Sequence, residues 1–179
     1  MLKKLVTSIF LLSCTSPVFA GFSFYVAPKL SYIGMTSTNN RNEVLVPLLA
    51  AGAGVSMDML YLGGEVFANR RFMTIRNGPN NANDLRPSYQ WGVSVLPGIV
   101  FDSYSLGYAR FGAVSSRFGK VGETKTGVQV GVGLEVKAIS TVYLNGEYTY
   151  TRYRSLSTVS GIPTSDQFSL GVVFRFPGY

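Results

Sequence analysis

The feature that most constrains the fold of this chain is an alternation of apolar residues with small or polar ones. It is clearest over residues 126–138, where Thr, Val, Leu and Ala occupy the even positions and Gly, Gln, Glu and Lys occupy the odd ones. Successive side chains of a β-strand point to opposite faces, so this period gives one apolar and one polar face. A tilted strand crosses a bilayer in about 9–11 residues. The alternation therefore predicts strands of a barrel that spans a membrane.

Eight segments share this pattern and predict an all-β fold, an eight-stranded antiparallel transmembrane up-and-down β-barrel. The predicted strands are 22–35, 46–57, 60–70, 89–100, 104–115, 126–138, 142–151 and 167–176. Short connections are predicted near 58, 101–103 and 139–141, and longer ones at 36–45, 71–88, 116–125 and 152–166. Bacterial outer-membrane barrels have short periplasmic turns and longer external loops, so we expect the long loops to face the exterior.

The first twenty residues have the composition of a secretory signal peptide. Two lysines precede the apolar stretch 5–12, and the residues at 18–20 fit a small-residue cleavage site. The apolar stretch is too short to span a bilayer, which needs about 20 residues. We therefore expect residues 1–20 to be cleaved and residues 21–179 to form an outer-membrane barrel domain.

The cysteine and histidine content restricts the chemistry of the chain. Cys14 is its one cysteine, and residues 11–14 resemble a lipoprotein box in which Cys14 would be lipidated, although Leu12 is unfavourable there. The chain has no histidine, which removes the commonest general base and the commonest metal ligand. Because Ser-His and Asp-His arrangements cannot form, we expect no catalytic residue, no metal site and no cofactor.

A soluble up-and-down barrel, such as a lipocalin, is the alternative fold, and its apolar face would point inward. Two features favour the membrane barrel: Gly and Ser are expected to dominate the inward positions, and aromatic residues cluster at strand ends like a membrane girdle. The Gly-x-Gly pairs at 52–54 and 131–133 are not followed by a predicted helix. We expect them to relieve crowding inside the barrel rather than to bind phosphate.

The C-terminal segment 169–176 reads Ser-Leu-Gly-Val-Val-Phe-Arg-Phe, a polar-x-Gly-x-x-aromatic-x-aromatic pattern. Four further segments have similar family-like patterns, at 63–65, 108–112, 131–136 and 144–150. With these motifs the chain resembles the OmpA-like and opacity-protein family of eight-stranded outer-membrane barrels. The resemblance implies an assembly signal formed by Gly171, Phe174 and Phe176. Because three residues follow Phe176, either Phe176 or Tyr179 is the end that the barrel-assembly machinery recognises.

Charged residues at positions that can face the lumen predict a buried network. These residues are Lys29, Glu65, Arg110, Glu135, Lys137, Glu147 and Arg175, with Arg110 inward only if Tyr108 and Gly112 are inward as well. On the lipid face at mid-bilayer a charge would cost about 2–4 kcal/mol, whereas opposite charges inside can pair. The family resemblance implies that Glu65 pairs with Arg110 and that Glu135 and Glu147 join the same network. The network is either a gate or a plug that fills the lumen.

The predicted external loops and strand tips are basic, and a basic rim attracts polyanions. The candidate anion-binding residues are Arg70, Arg71, Arg76, Arg86, Arg117, Lys120, Arg152 and Arg154. Members of the opacity group are adhesins, so the resemblance implies contact with host-cell polyanions or receptors. The same cations would anchor the barrel beside lipopolysaccharide, so a structural or small porin-like barrel is the alternative. Outer-membrane lipid, lipopolysaccharide and the barrel-assembly machinery are the other expected partners, and no nucleic acid is expected.

Overall fold

The computed structural model describes residues 21–37, 40–70, 73–76, 87–118, 124–154 and 162–178, with the backbone alone at 37, 40, 41, 73–76, 87 and 118. These residues form strands β1 (Gly21–Ser37), β2 (Asn40–Met57), β3 (Leu60–Arg70), β4 (Met73–Arg76), β5 (Pro87–Val100), β6 (Ser105–Phe118), β7 (Thr124–Ile139), β8 (Val142–Tyr153) and β9 (Thr164–Pro177). In these ranges no helix is long and apolar enough to cross a membrane. The predicted signal peptide and Cys14 lie outside the described residues.

The strands close into a ring. Their order is β1-β9-β8-β7-β6-β5-β3-β2, and β1 pairs with β2, so eight strands form the wall and every pairing is antiparallel. The short β4 pairs with β2 beyond the end of β3. Paired positions followed around the ring from Val26 return to β1 at Thr36, an offset of ten residues (36 − 26 = 10). Such a stagger requires steeply tilted strands. The closed ring of eight antiparallel strands confirms the predicted barrel.

The two ends of the barrel differ. The turns at 58–59, 101–104 and 140–141 lie at one end, called here the turn end, together with Gly21 and Gly178. The opposite end is called the loop end. Asp58 in the first turn has a φ of 51°, in the left-handed region that Asp adopts more readily than most residues.

The strands extend further toward the loop end than the sequence predicted. The predicted loop 36–45 is wrong, because the β1–β2 ladder continues to the pair Ser37 and Asn40. Buried Ile33, Val44 and Val46 pack together inside this extension. The predicted loops 71–88, 116–125 and 152–166 are also partly strand. Polar residues interrupt the apolar alternation in these segments, but the backbone ladder does not require an apolar outer face.

The two faces of the wall have opposite composition. Leu49, Leu62 and Val128 are more than half exposed on the outward face, whereas the inward face contains buried Ser, Thr, Gln and charged residues. Gly and Ser do not fill the inward face alone, because five aromatic side chains are buried there as well, those of Tyr25, Tyr61, Phe67, Tyr108 and Tyr153. A Cβ built on Gly52 would overlap the Tyr25 ring, and one on Gly133 would overlap the Tyr108 ring. These glycines therefore make room for large inward side chains.

Candidate functional site

Four charged side chains from four strands meet in the lumen. Lys29 Nζ lies 3.3 Å from Glu147 Oε2 and 3.9 Å from Glu65 Oε2. Arg110 Nη2 lies 2.9 Å from Glu147 Oε2 and also pairs with Glu65 Oε1. The four side chains are only 2–3% exposed. We call Lys29, Glu65, Arg110 and Glu147 the central cluster; its two cations and two anions balance.

Hydroxyl groups add hydrogen bonds to the central cluster. The Tyr25 hydroxyl donates to Glu65 Oε2 at 3.0 Å, and the Tyr108 hydroxyl donates to Glu147 Oε2 at 2.6 Å. Arg110 Nη1 donates to Ser94 Oγ at 3.0 Å, and its guanidinium lies 5.5 Å from the centre of the Phe67 ring. Buried ions need partners of this kind to offset their lost hydration. The cluster is therefore held by β1, β3, β5, β6 and β8 together.

A second ion pair lies nearer the turn end. Arg175 Nη2 donates to Glu135 Oε2 at 2.7 Å, and its Nη1 donates to Ser23 Oγ at 3.0 Å and to the Tyr61 hydroxyl at 3.3 Å. The guanidinium also lies 5.1, 5.2 and 5.6 Å from the ring centres of Tyr25, Tyr61 and Tyr143. Cations are attracted to aromatic faces at such distances. We call Arg175, Glu135 and these three rings the turn-end clamp.

The structure therefore brings six of the seven predicted lumen charges into two groups. Glu135 does not join Glu65 and Glu147 as the family resemblance implied, because it pairs with Arg175. Lys137 is half-buried and forms no ion pair with any other residue that the structure describes. The sequence reasoning missed the tyrosines of both groups. Their inward position in the alternation, shared with the neighbouring charges, was the signal that could have identified them.

Uncharged polar side chains fill the lumen toward the loop end. Asn69 donates to Gln90 at 2.8 Å, and Gln90 donates to the hydroxyls of Ser116 and Tyr153, each at 2.9 Å. On the opposite wall, the hydroxyls of Ser31 and Ser169 are 2.7 Å apart. Apolar residues such as Leu48 and Val114 pack between these groups. The interior of this barrel is therefore a packed core of mixed polarity.

The predicted anion-binding residues lie at the loop end where they are described. Arg70, Arg117 and Arg152 are exposed and stand on the outward face of their strands, and Arg154 is exposed just after β8. Arg71, Arg86, Lys120 and the side chain of Arg76 lie outside the described residues. Among the described residues the exposed charges at the turn end are acidic instead, namely Asp58 and Asp102. Exposed charge is thus segregated along the barrel axis.

Asp102 is held in the turn between β5 and β6. The Ser105 hydroxyl donates to Asp102 Oδ1 at 2.7 Å, and the Tyr104 backbone N–H donates to the same atom at 2.6 Å. These hydrogen bonds favour the ionised carboxylate and hold the pKa of Asp102 below its usual value. No group of three side chains able to ligate a metal ion occurs in the described part of the chain.

The three residues of the predicted assembly signal lie on β9, which closes the ring against β1. Gly171 pairs with Lys29, and a Cβ added to it would overlap the Lys29 side chain. Phe174 and Phe176 are exposed on the outward face and pair with Val26 and Phe24. The strand continues to Pro177, and the Gly178 N–H donates to the Phe22 carbonyl at 2.8 Å. Tyr179 lies outside the described residues.

A closed antiparallel ring with an apolar exterior and a polar, charged interior defines a transmembrane β-barrel, because in lipid every backbone polar group must be paired. The sequence over residues 6–176 matches the family described as outer membrane protein beta-barrel domain. The chain belongs to this family, and its place is in the outer membrane. A search among curated proteins found no match to the sequence.

Neisserial surface protein A and Ail are among the solved structures that resemble this barrel. Neisserial surface protein A is 20% identical with a TM-score of 0.57, over 86% of this chain and 97% of that one. Ail, the attachment invasion locus protein of Yersinia pestis, is 16% identical with a TM-score of 0.59, over 87% of this chain and 99% of that one. At such low sequence identity the structural similarity is evidence for the fold alone, and it supports the eight-stranded outer-membrane barrel.

Proposed function

We propose that this barrel is a non-enzymatic surface protein of the bacterial outer membrane whose basic loop end binds anionic polymers and mediates adhesion. The observation that carries the proposal is the axial segregation of exposed charge. Among the described residues, the exposed charges at the loop end are Arg70, Arg117, Arg152 and Arg154, whereas those at the turn end are Asp58 and Asp102. The loop-end acids Glu43 and Asp166 are half-buried. A surface of one sign attracts polyanions and raises their association rate.

The orientation belongs to the same proposal. Outer-membrane barrels place their short turns in the periplasm and their longer connections outside. The acidic turns would then face the periplasm, and the basic end would face the exterior. In one neighbouring structure Ail is in complex with the heparin analogue sucrose octasulfate. We extend that class of ligand, a sulfated polyanion, to this chain as the expected partner.

Two properties support a binding role over catalysis or transport. The chain has no histidine, so the usual base for activating a serine or a water is missing. The central cluster is 2–3% exposed and occupies the lumen, which leaves little space for a substrate or a wide aqueous path. Binding at the loop end needs neither an internal pocket nor a pore.

The test is heparin binding by cells that express the barrel and lack other adhesins. Changing Arg71, Arg76 and Arg86 together to Glu lowers the net charge by six and should abolish binding. Parent binding should fall steeply as salt rises, because exposed charges are screened beyond about 8–10 Å at physiological ionic strength. Heat-modifiable gel mobility checks that each variant forms a folded barrel.

The matched control changes Arg70, Arg117 and Arg152 to Glu, which lowers the net charge by the same amount on the outward wall. Binding should weaken by a smaller factor, because these side chains add to the positive field of the loop end but point toward the surrounding membrane. Equal losses in both variants would mean that net charge acts without a defined site. A folded parent that binds no better than the empty strain would overturn adhesion.

A further inference from the structure

The outward face carries a groove that runs across β2, β3 and β5 toward the loop end. Two adjoining depressions of about 350 and 430 Å³ share Leu49 and Ala68. The floor is low because outward positions on β2 and β3 carry small residues, Ala51 and Ala68. Leu49, Val66 and Trp91, each more than half exposed, form the ridges beside this floor.

Two arginines flank a tyrosine at the loop-end side of this groove. Arg70 on β3 is the ladder partner of Tyr89, and Tyr89 is the ladder partner of Arg117 on β6. All three are exposed on the outward face. Side chains directly opposite across a ladder start about 4.5–5.5 Å apart, so both guanidinium groups can reach one ligand beside the Tyr89 ring. Neither arginine pairs with a carboxylate that the structure describes.

The groove and the arginine row are continuous, because Arg70, Tyr89, Leu49 and Ala68 line the same depression. An apolar groove that ends at two exposed guanidinium groups, neither paired with a described carboxylate, matches a lipid with acyl chains and a phosphorylated headgroup. Arg binds phosphate oxygens through paired N–H donors. Arginines that only contact phosphates of the surrounding membrane would not require an adjoining apolar groove.

We propose that this groove is a specific site for lipid A, the phosphorylated glycolipid of the outer leaflet. One acyl chain lies over Ala51 and Ala68 beside Trp91, and one phosphate lies between Arg70 and Arg117. The site rests on the orientation given under Proposed function, with the loop end outside, but not on adhesion. Lipid A fits better than a free phosphate, because the larger part of the site is apolar.

The experiment is a titration of the purified, folded barrel with bis-phosphorylated lipid A, followed by native mass spectrometry. The parent should bind one lipid A more tightly than phosphatidylglycerol and more tightly than lipid A stripped of both phosphates. Arg70→Gln with Arg117→Gln should weaken lipid A binding about tenfold, from the loss of charge-assisted hydrogen bonds. Ala68→Phe should weaken it to a similar extent, because the ring occupies the shared part of the groove.

Matched controls place the same changes elsewhere on the outward face. Arg152→Gln with Arg154→Gln, and Ala138→Phe, should leave affinity within about twofold of the parent. Equal losses in these controls would overturn a specific site. If phosphatidylglycerol binds as tightly as lipid A, the groove is a general phospholipid site. If lipid A without phosphates binds as tightly as bis-phosphorylated lipid A, the two arginines do not bind a phosphate. Either result overturns the assignment.

Heparin binding measured on the same variants separates the two proposals. Arg71, Arg76 and Arg86 are unchanged in all of them, so adhesion should survive the loss of lipid A binding. If heparin binding is absent from the parent while lipid A binding follows the pattern above, adhesion fails and the lipid site stands.

Discussion

The central cluster and the turn-end clamp both place opposite charges inside the barrel, but their surroundings differ. The side chains of the central cluster are 2–3% exposed, and each charge depends on partners from other strands. In the clamp, Arg175 is 13% exposed and Glu135 is 6% exposed. The clamp also borders a depression of about 130 Å³ at the turn end. Water can therefore solvate a charge that loses its partner in the clamp more readily than in the central cluster.

Because of this difference, we expect the loss of one charged partner to destabilise the two groups to different extents. Breaking a deeply buried ion pair leaves an uncompensated charge, and such changes cost about 3–5 kcal/mol. Near an opening, hydration replaces part of what is lost, and the aromatic rings around Arg175 add attraction that does not depend on Glu135. The free energy of unfolding should therefore depend more on the central cluster than on the turn-end clamp.

The largest effect is expected from Arg110→Met. It removes a cation from between Glu65 and Glu147 and leaves Lys29 as the remaining cation of the central cluster. The free energy of unfolding should fall by about 3–5 kcal/mol. Urea unfolding in lipid vesicles, followed by the fluorescence of Trp91, the one tryptophan of the chain, measures this change.

The control for this variant adds Glu65→Gln to Arg110→Met. The double variant keeps Lys29 with Glu147 and restores charge balance, so most of the lost stability should return. If Arg110→Met alone costs less than about 1 kcal/mol, the lumen admits water and the cluster is not the packed core described above.

A smaller effect is expected from Arg175→Gln. It removes the ion pair with Glu135 and the contacts with three rings, yet the site borders the turn-end depression. We expect a loss of about 1–3 kcal/mol in the same urea measurement. Glu135→Gln in the Arg175→Gln background should recover part of it. If Arg175→Gln lowers the free energy of unfolding as much as Arg110→Met does, the turn-end clamp is not better solvated than the central cluster.

The sequence predicted the faces of the strands well, because side-chain direction has a strict period of two. The sequence places Arg110 inward only if Tyr108 and Gly112 are inward as well, and the structure has all three on that face. The resemblance also implied the pair of Glu65 with Arg110, which the structure contains.

Contacts across the lumen could not be predicted from local pattern. Which inward residues meet depends on the tilt and on the ten-residue stagger of the ring, and both are properties of the closed barrel. Glu135 therefore reaches Arg175 and not Glu65. The end of β2 was missed for another reason: the buried Asn42 and the outward Glu43 are both polar, so no apolar face marks the strand beyond Val44.

Outside the lumen, Asp102→Asn should change pH dependence more than stability. The folded-state pKa of Asp102 is lowered, so its contribution is present above the unfolded pKa of about 3.9 and is lost as pH falls through the lower folded pKa. The parent should therefore lose slightly more stability than the variant on acidification below about pH 4. Parallel unfolding curves for both proteins through that window would contradict the role of the Ser105 and Tyr104 hydrogen bonds.

The smallest effect is expected from Lys137→Gln, which tests whether inward position alone makes a charge part of a network. Lys137 is half-buried near the turn end and forms no ion pair with another described residue. Its removal should change the free energy of unfolding by less than about 0.5 kcal/mol. Lys29→Gln is the matched control, because the same chemical change inside the central cluster leaves its two carboxylates with one cation, Arg110. Similar losses in both variants would mean that Lys137 has a partner in the barrel after all.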